Sequence, residues 1–189
     1  MRSSVVRLLA LSTLFATAAC DGGGTGGTRL TPAEVSGVYR VCMLRFVPDN
    51  SAFPAANLLE RVVHTTPPAG KPEPTVTLSP DGAFQLSYTR RSDSFTRELV
   101  GAIEYRSDGV GLRFYNDADN PNAVAAELLL PQQAMLTYQA AIRRLSTTSA
   151  RSYSVTRRDY ARAAGVDEAG FAATIPGHLE ATLQDGTCT

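Results

Sequence analysis

The stretch TVTLSPDGAFQLSYTRR, residues 75–91, restricts the fold of this chain more than any other. Val76 and Leu78 alternate with Thr75, Thr77 and Ser79, and Phe84, Leu86 and Tyr88 alternate with Gln85, Ser87 and Thr89. Successive strand side chains point to opposite faces, so an apolar residue at every second position marks a strand with one buried face. Between the two runs, Pro80 presets φ for the start of a turn and Gly82 permits the positive φ that a reversal needs. This is a hairpin. A second follows, from SFTRELVGAIEYR through Ser107-Asp108-Gly109 into VGLRFY, with Val110, Leu112 and Phe114 sharing a face. Gly101 interrupts the longer strand, where a glycine predicts a bulge.

The flanking segments extend the pattern. SGVYRVCMLRFV (36–47) is rich in strand formers, but its apolar groups fall on both faces, which predicts cover on both sides. NAVAAELLL leads through Pro131-Gln132-Gln133 into AMLTYQA, and ARSYSVTRR (150–158) places Tyr153 and Val155 at strand spacing. Met135, Tyr138, Ile142 and Leu145 also fit a helix, yet the short turn before them and the meander around them favour a strand over 134–140. Residues 48–74 contain Pro48, Pro54, Pro67, Pro68, Pro72 and Pro74 and read as an irregular insertion, with room for a short helix at AANLLERVV. Seven to eight antiparallel strands joined by tight turns must dispose of their unpaired edges, and closing the sheet does so. The expected fold class is therefore all-β, an up-and-down meander closing into a barrel.

A leader precedes this domain. Arg2 and Arg7 stand before LLALSTLFATAA, an uncharged run of about twelve residues, where a membrane-crossing helix needs about twenty. Residues 1–19 read as an export signal. Ala16-Thr17-Ala18 suits an ordinary peptidase site, whereas Thr17-Ala18-Ala19-Cys20 resembles the lipobox of bacterial lipoproteins, with Thr17 where that family has Leu. DGGGTGG follows and behaves as a flexible tether, since glycine loses most freedom on ordering. A tether behind an anchor favours the lipid. The resemblance implies lipidation at Cys20, residues 20–30 as the tether, and a domain held at a membrane outside the cytoplasm, in the periplasm or at the cell surface.

The chain has three cysteines. With Cys20 consumed by lipid, Cys42 and Cys188 remain as an even pair in an oxidising compartment, and a bridge between them would contribute about 4 kcal/mol by restricting the unfolded chain. Alternatively, Cys42 is a small buried side chain and Cys188 sits in a frayed end.

Gly37-Val38-Tyr39 opens the first strand, and Gly101 to Tyr105 form a G-x-[IV]-x-Y element. Together with TVTLSPDGAFQLSY these resemble the small lipocalin-like (calycin-type) barrels of bacterial lipoproteins over residues 36 to about 158. The lipocalin opening is Gly-x-Trp. This chain has no Trp, so Tyr39 takes the place at the barrel floor. The resemblance implies a barrel over 31–158 and a cup that takes a hydrophobic or amphipathic small molecule. Its lining would be Tyr39, Phe84, Leu86, Tyr88, Ile103, Leu112, Phe114, Leu128 and Tyr138. These residues equally suit a barrel filled by its own side chains, which would leave a structural or protein-interaction role. The remaining 159–189, Ala-rich and broken by Gly165, Gly170 and Gly177, are expected as a short helical and irregular extension outside the barrel, as such folds often carry.

Chemistry is sparse. Eighteen basic and eighteen acidic residues balance, the bases are scattered, and nothing points to nucleic acid. Removing residues 1–19 takes two arginines and no acid, leaving a formal charge of −2. His64 and His178 lack a neighbouring nucleophile motif, so no enzyme is expected. Asp117 and Asp119 sit in NDADNPN without the remaining spacing of a calcium loop, so no metal or cofactor is expected. In Arg90-Arg91, Arg143-Arg144 and Arg157-Arg158 one member of each pair could face inward toward an anionic headgroup, although strand ends in water are the plainer placement.

Overall fold

The computed structural model describes residues 29–114, 124–147 and 151–188. The leader, Cys20, its tether and the Asp117–Asp119 stretch lie outside the described residues. Among the described residues ten strands form one sheet: β1 (Gly37–Pro48), β2 (Ala56–Asn57), β3 (Thr75–Leu78), β4 (Ala83–Thr89), β5 (Thr96–Tyr105), β6 (Gly109–Phe114), β7 (Gln133–Gln139), β8 (Arg144–Thr147), β9 (Tyr153–Thr156) and β10 (Thr174–Asp185). Neighbours run β1-β3-β4-β5-β6-β7-β8-β10, and β10 pairs back onto β1, closing an antiparallel barrel of eight staves. β2 and β9 flank the protruding halves of the two longest staves, β1 and β10. Among the described residues four short helices accompany the sheet: α1 (Pro32–Val35), α2 (Leu58–Arg61), α3 (Val124–Glu127) and α4 (Arg157–Ala164).

The central hairpin forms as its alternation dictates. Val76 opposes Leu86 and Leu78 opposes Phe84, while Gly82 takes φ 87° in the turn. Residues 133–139 are strand β7, and a single 3-10 turn at Ala140–Ile142 separates them from β8. Two local readings are corrected. Gly101 marks no bulge, since β4 and β5 pair in unbroken register through it. It is a point of close approach: an added Cβ would lie 2.3 Å from the Phe84 ring and 2.2 Å from Arg113 O. The bulge lies instead in β1, where the register with β10 shifts between Val41 and Met43. Before it Tyr39 and Val41 face inward; after it Leu44 and Phe46 do. An extra residue flips the side-chain phase, and so the mixed pattern of this strand reflects two phases in succession, with Val38 still 57% exposed.

The third correction concerns the tail. Residues 159–189 do not all lie outside the barrel. α4 does supply a short helix there, capped by the Thr156 hydroxyl accepting from the Asp159 N–H (3.1 Å), but Thr174–Asp185 is the closing stave. Its inward set, Ile175, Gly177, Leu179, Ala181 and Leu183, is spaced by two, with small members that obscure the apolar period. The expected stave at 150–158 is the flanking strand β9 instead.

The core is one contiguous cluster with two regions. Inside the barrel, Val41, Leu44, Phe84, Leu86, Leu112, Phe114, Leu136 and Leu183 meet. Beyond its upper end, Phe46, Phe53, Tyr153, Tyr160 and Phe171 pack as tilted and edge-to-face rings 4.9–6.4 Å apart, between α4 and the protruding staves. Outside the wall, Cys42 at the bulge and Cys188 beyond β10 form a disulfide, Cα–Cα 5.3 Å, spanning 146 residues. Cys42→Ser is expected to cost about 2–4 kcal/mol in urea unfolding of the oxidised protein, and reductant should reproduce the loss in the parent. Equal midpoints with and without the bridge would show that it constrains nothing.

Candidate functional site

The barrel interior is the natural place to look for a ligand. Of the nine residues expected to line it, Tyr39, Phe84, Leu86, Tyr88, Leu112, Phe114 and Leu128 are buried, and Ile103 and Tyr138 pack partly buried at the rim of the core. What these walls enclose is small. The interior void measures about 30 Å³ and is lined by apolar side chains, among them Val76, Phe84, Leu112, Leu130, Ala134 and Leu179. That is about the space of one water, with no polar group to hold one, whereas small-molecule sites run to several hundred Å³.

Both ends are stoppered, and the tyrosines hold the stoppers. At the lower end α1 sits across the opening, its capping box formed by Thr31 and Glu34 and its Val35 fully buried. The Tyr39 hydroxyl donates to Val35 O (2.6 Å) and Tyr138 to Glu34 O (2.9 Å). Arg143 then clamps the same helix, donating to Glu34 O (3.3 Å) and Ser36 O (3.0 Å), pairing with Asp185 and lying 6.0 Å over the Tyr39 ring. Arg143→Ala is expected to cost about 1–2 kcal/mol and to speed amide exchange in residues 33–36 before the sheet, read by hydrogen exchange. Uniform exchange across the sheet would remove the clamp from the account.

At the upper end α3 and Leu128–Leu130 fill the opening. Tyr88 donates to Glu127 Oε2 (3.0 Å), Arg90 reaches Glu127 Oε1 (3.5 Å), and Tyr153 donates to Leu129 O (2.5 Å). Leu129 holds φ 49°, a left-handed conformation that a helix end normally gives to glycine. Its near-complete burial offsets that strain. Burial pushes the Tyr39, Tyr88 and Tyr153 phenols well above their ordinary range, with Tyr138 adding to the first and Glu127 to the second. All three therefore remain protonated donors tied to structural acceptors, not acids poised for proton transfer.

The other candidates disperse. The His64 backbone N–H bonds Thr89 O (2.9 Å). His178 stands between two carboxylates, Nδ1 3.8 Å from Asp49 and Nε2 3.6 Å from Glu180. Ser152 donates to Asp49 (2.6 Å), not to the imidazole, so the order of groups is wrong for activating a hydroxyl. Among the described residues no cluster of His, Cys, Asp and Glu could hold a metal. Of the arginine pairs, Arg90 bonds Asp93 and Glu127, Arg91 donates to Val63 O (3.4 Å), Arg144 donates to Gln184 (2.7 Å), and Arg157 and Arg158 are exposed.

Grooves also lie outside the barrel among the described residues. A cleft of about 590 Å³ runs along β5 and β6 beside Leu30 and Pro32, with Arg29 and Arg113 at its sides. A smaller one of about 200 Å³ lies between α3 and β9. Sequence reasoning missed this second groove because it depends on β9 lying beside β10, which no local pattern announces. Comparison with known protein families, curated proteins and solved structures returns no match for this chain. The closed eight-stave barrel with a helix across its lower end is consistent with a lipocalin-like architecture.

Proposed function

We propose that this chain is a lipoprotein of the cell envelope, moored to a membrane through Cys20, whose barrel is a filled scaffold that engages a protein partner on its outer surface. The observation that carries this reading is the interior void of about 30 Å³, stoppered at both ends, which leaves no room for a lipid-sized ligand. The Cys42–Cys188 bridge supports an oxidising compartment. The dispersal of titratable groups supports a role in binding over one in catalysis. Among the described residues no helix is long and apolar enough to cross a membrane, which is in keeping with attachment by lipid.

A second reading, a carrier of a hydrophobic small molecule, rests on Leu130. This residue lines both the void and the outer groove, so its movement would join them. Native mass spectrometry followed by solvent extraction separates the two. The scaffold reading expects the bare processed mass with diacylglycerol on Cys20, and a reproducibly co-purifying lipid beyond that covalent one would replace it with the carrier. Metabolic labelling with fatty acid should mark the parent and not Cys20→Ser.

A further inference from the structure

Among the described residues β9 is an outermost strand of the sheet and pairs only with β10. The Arg157 N–H bond to Ala173 O sets the phase of that ladder. In an antiparallel pair every second residue turns both backbone groups toward its neighbour, so Tyr153 and Val155 address β10 while Ser154 and Thr156 turn away. Pro176 stands opposite Ser154, where it has no N–H to offer, as this phase requires. The Ser154 N–H and C=O and the Thr156 N–H therefore open into the groove of about 200 Å³, and neither a ladder nor a turn bond takes them among the described residues. The opposite wall is apolar, built from Ala125, Ala126, Leu129 and Leu130. Unpaired strand groups facing an apolar shelf form half of a β-augmentation site, in which an added strand supplies the missing bonds and the shelf takes alternate side chains.

Charge selects the occupant. Arg151 precedes the edge, Arg157 and Arg158 follow it, and all three are exposed. The nearby Asp159 carboxylate is engaged by Thr156 and Arg162. A second copy pairing antiparallel about Ser154 and Val155 would set Arg151 against Arg157 and Arg158, and like charges directly opposed destabilise a strand pair. We propose that the β9 edge receives an extended segment of a partner protein, with an aliphatic side chain seated against Ala126 and Leu130 and carboxylates on both flanks meeting Arg151 and Arg157–Arg158. This assignment rests on the reading of the chain as an interaction protein and names the place and the chemistry of that interaction.

The probe is a displayed library of linear heptapeptides panned against the whole purified chain, with the selected peptides titrated by fluorescence polarisation. The expected consensus is a central Leu, Ile, Val or Met between Asp or Glu. Ser154→Pro removes the outward N–H and no bond to β10, a substitution an edge strand tolerates, and it should weaken binding about tenfold. Arg157→Glu with Arg158→Glu places acids in the first turn of α4, which suits the helix, and should shift selection toward peptides flanked by Lys or Arg. Circular dichroism melting checks that each variant is folded. Peptides that bind Ser154→Pro as tightly as the parent, or show no charge preference, overturn the assignment. So does a dimer in sedimentation that Ser154→Pro dissolves, for then the occupant is a second copy. The scaffold reading is judged separately by the mass of the native chain, so one can fail while the other stands.

Discussion

Phe84→Ala is expected to lower stability by about 3–5 kcal/mol and to give the barrel the cavity that the parent lacks. Phe84 is 2% exposed, forms part of the wall of the small void, and meets Phe114 edge to face with ring centroids 5.3 Å apart. Its ring passes directly over Gly101, a stave position with no side chain to obstruct it. Truncation removes the ring from the middle of a closed wall that cannot collapse inward without breaking ladder bonds, so most of the vacated space should persist. A dry cavity on the order of 100–150 Å³ admits benzene or xenon. Denaturant unfolding reads the first effect, and NMR shifts on adding benzene read the second. The parent should show no shift. If it binds benzene as well as the variant does, the interior is not filled and the carrier reading gains. If truncation costs less than about 1 kcal/mol, Phe84 does not pack as described.

Gly109→Ala should be comparably severe, by about 3 kcal/mol or more, for a reason unrelated to turn geometry. An added Cβ would lie 1.9 Å from Leu136 O, 2.8 Å from the same carbonyl carbon and 2.9 Å from Thr137 Cα. All three are backbone atoms, so no rotamer change gives relief, and the first rung of the β6–β7 ladder must open. By contrast Gly170, with nothing within 4 Å, should accept Ala at the modest cost of its positive φ. Thermal melting of the pair gives the comparison. At about 2–4 °C per kcal/mol for a domain of this size, Gly109→Ala should melt well below Gly170→Ala. Equal melting points would mean that β6 and β7 do not approach as closely as described.

The parts of the fold legible in the sequence were those whose cause is local. The hairpin at residues 75–91 declares itself because its alternation is clean and Pro80-Asp81-Gly82 carries the turn chemistry. β1 was recognisable as a strand but not in its facing, because one inserted residue at Cys42 reverses the phase and an averaged pattern then looks apolar on both sides. β10 was hidden by composition. Gly177 and Ala181 are inward positions, the first crowded by the Phe46 ring, and an Ala- and Gly-rich stave reads as a loose tail. The site fared similarly. The side chains facing the interior could be listed from their spacing, but whether they enclose space or fill it depends on α1 and on Leu128–Leu130. Neither segment has a pattern of its own that points into a barrel. The tyrosines misled in a specific way, since their apolar bodies suggested a lining while their hydroxyls, tied to Val35, Glu34, Glu127 and Leu129, do the work of fastening.

Closure by β1 against β10 also governs when this protein can acquire its shape. The two longest staves are the first and the last in chain order, so their mutual ladder and the Cys42–Cys188 bridge both await the arrival of residues beyond 173. Pairings so distant in sequence are slow to find. Synthesis from the N-terminus would therefore let the middle staves associate early and leave the seam open until the final segment is delivered.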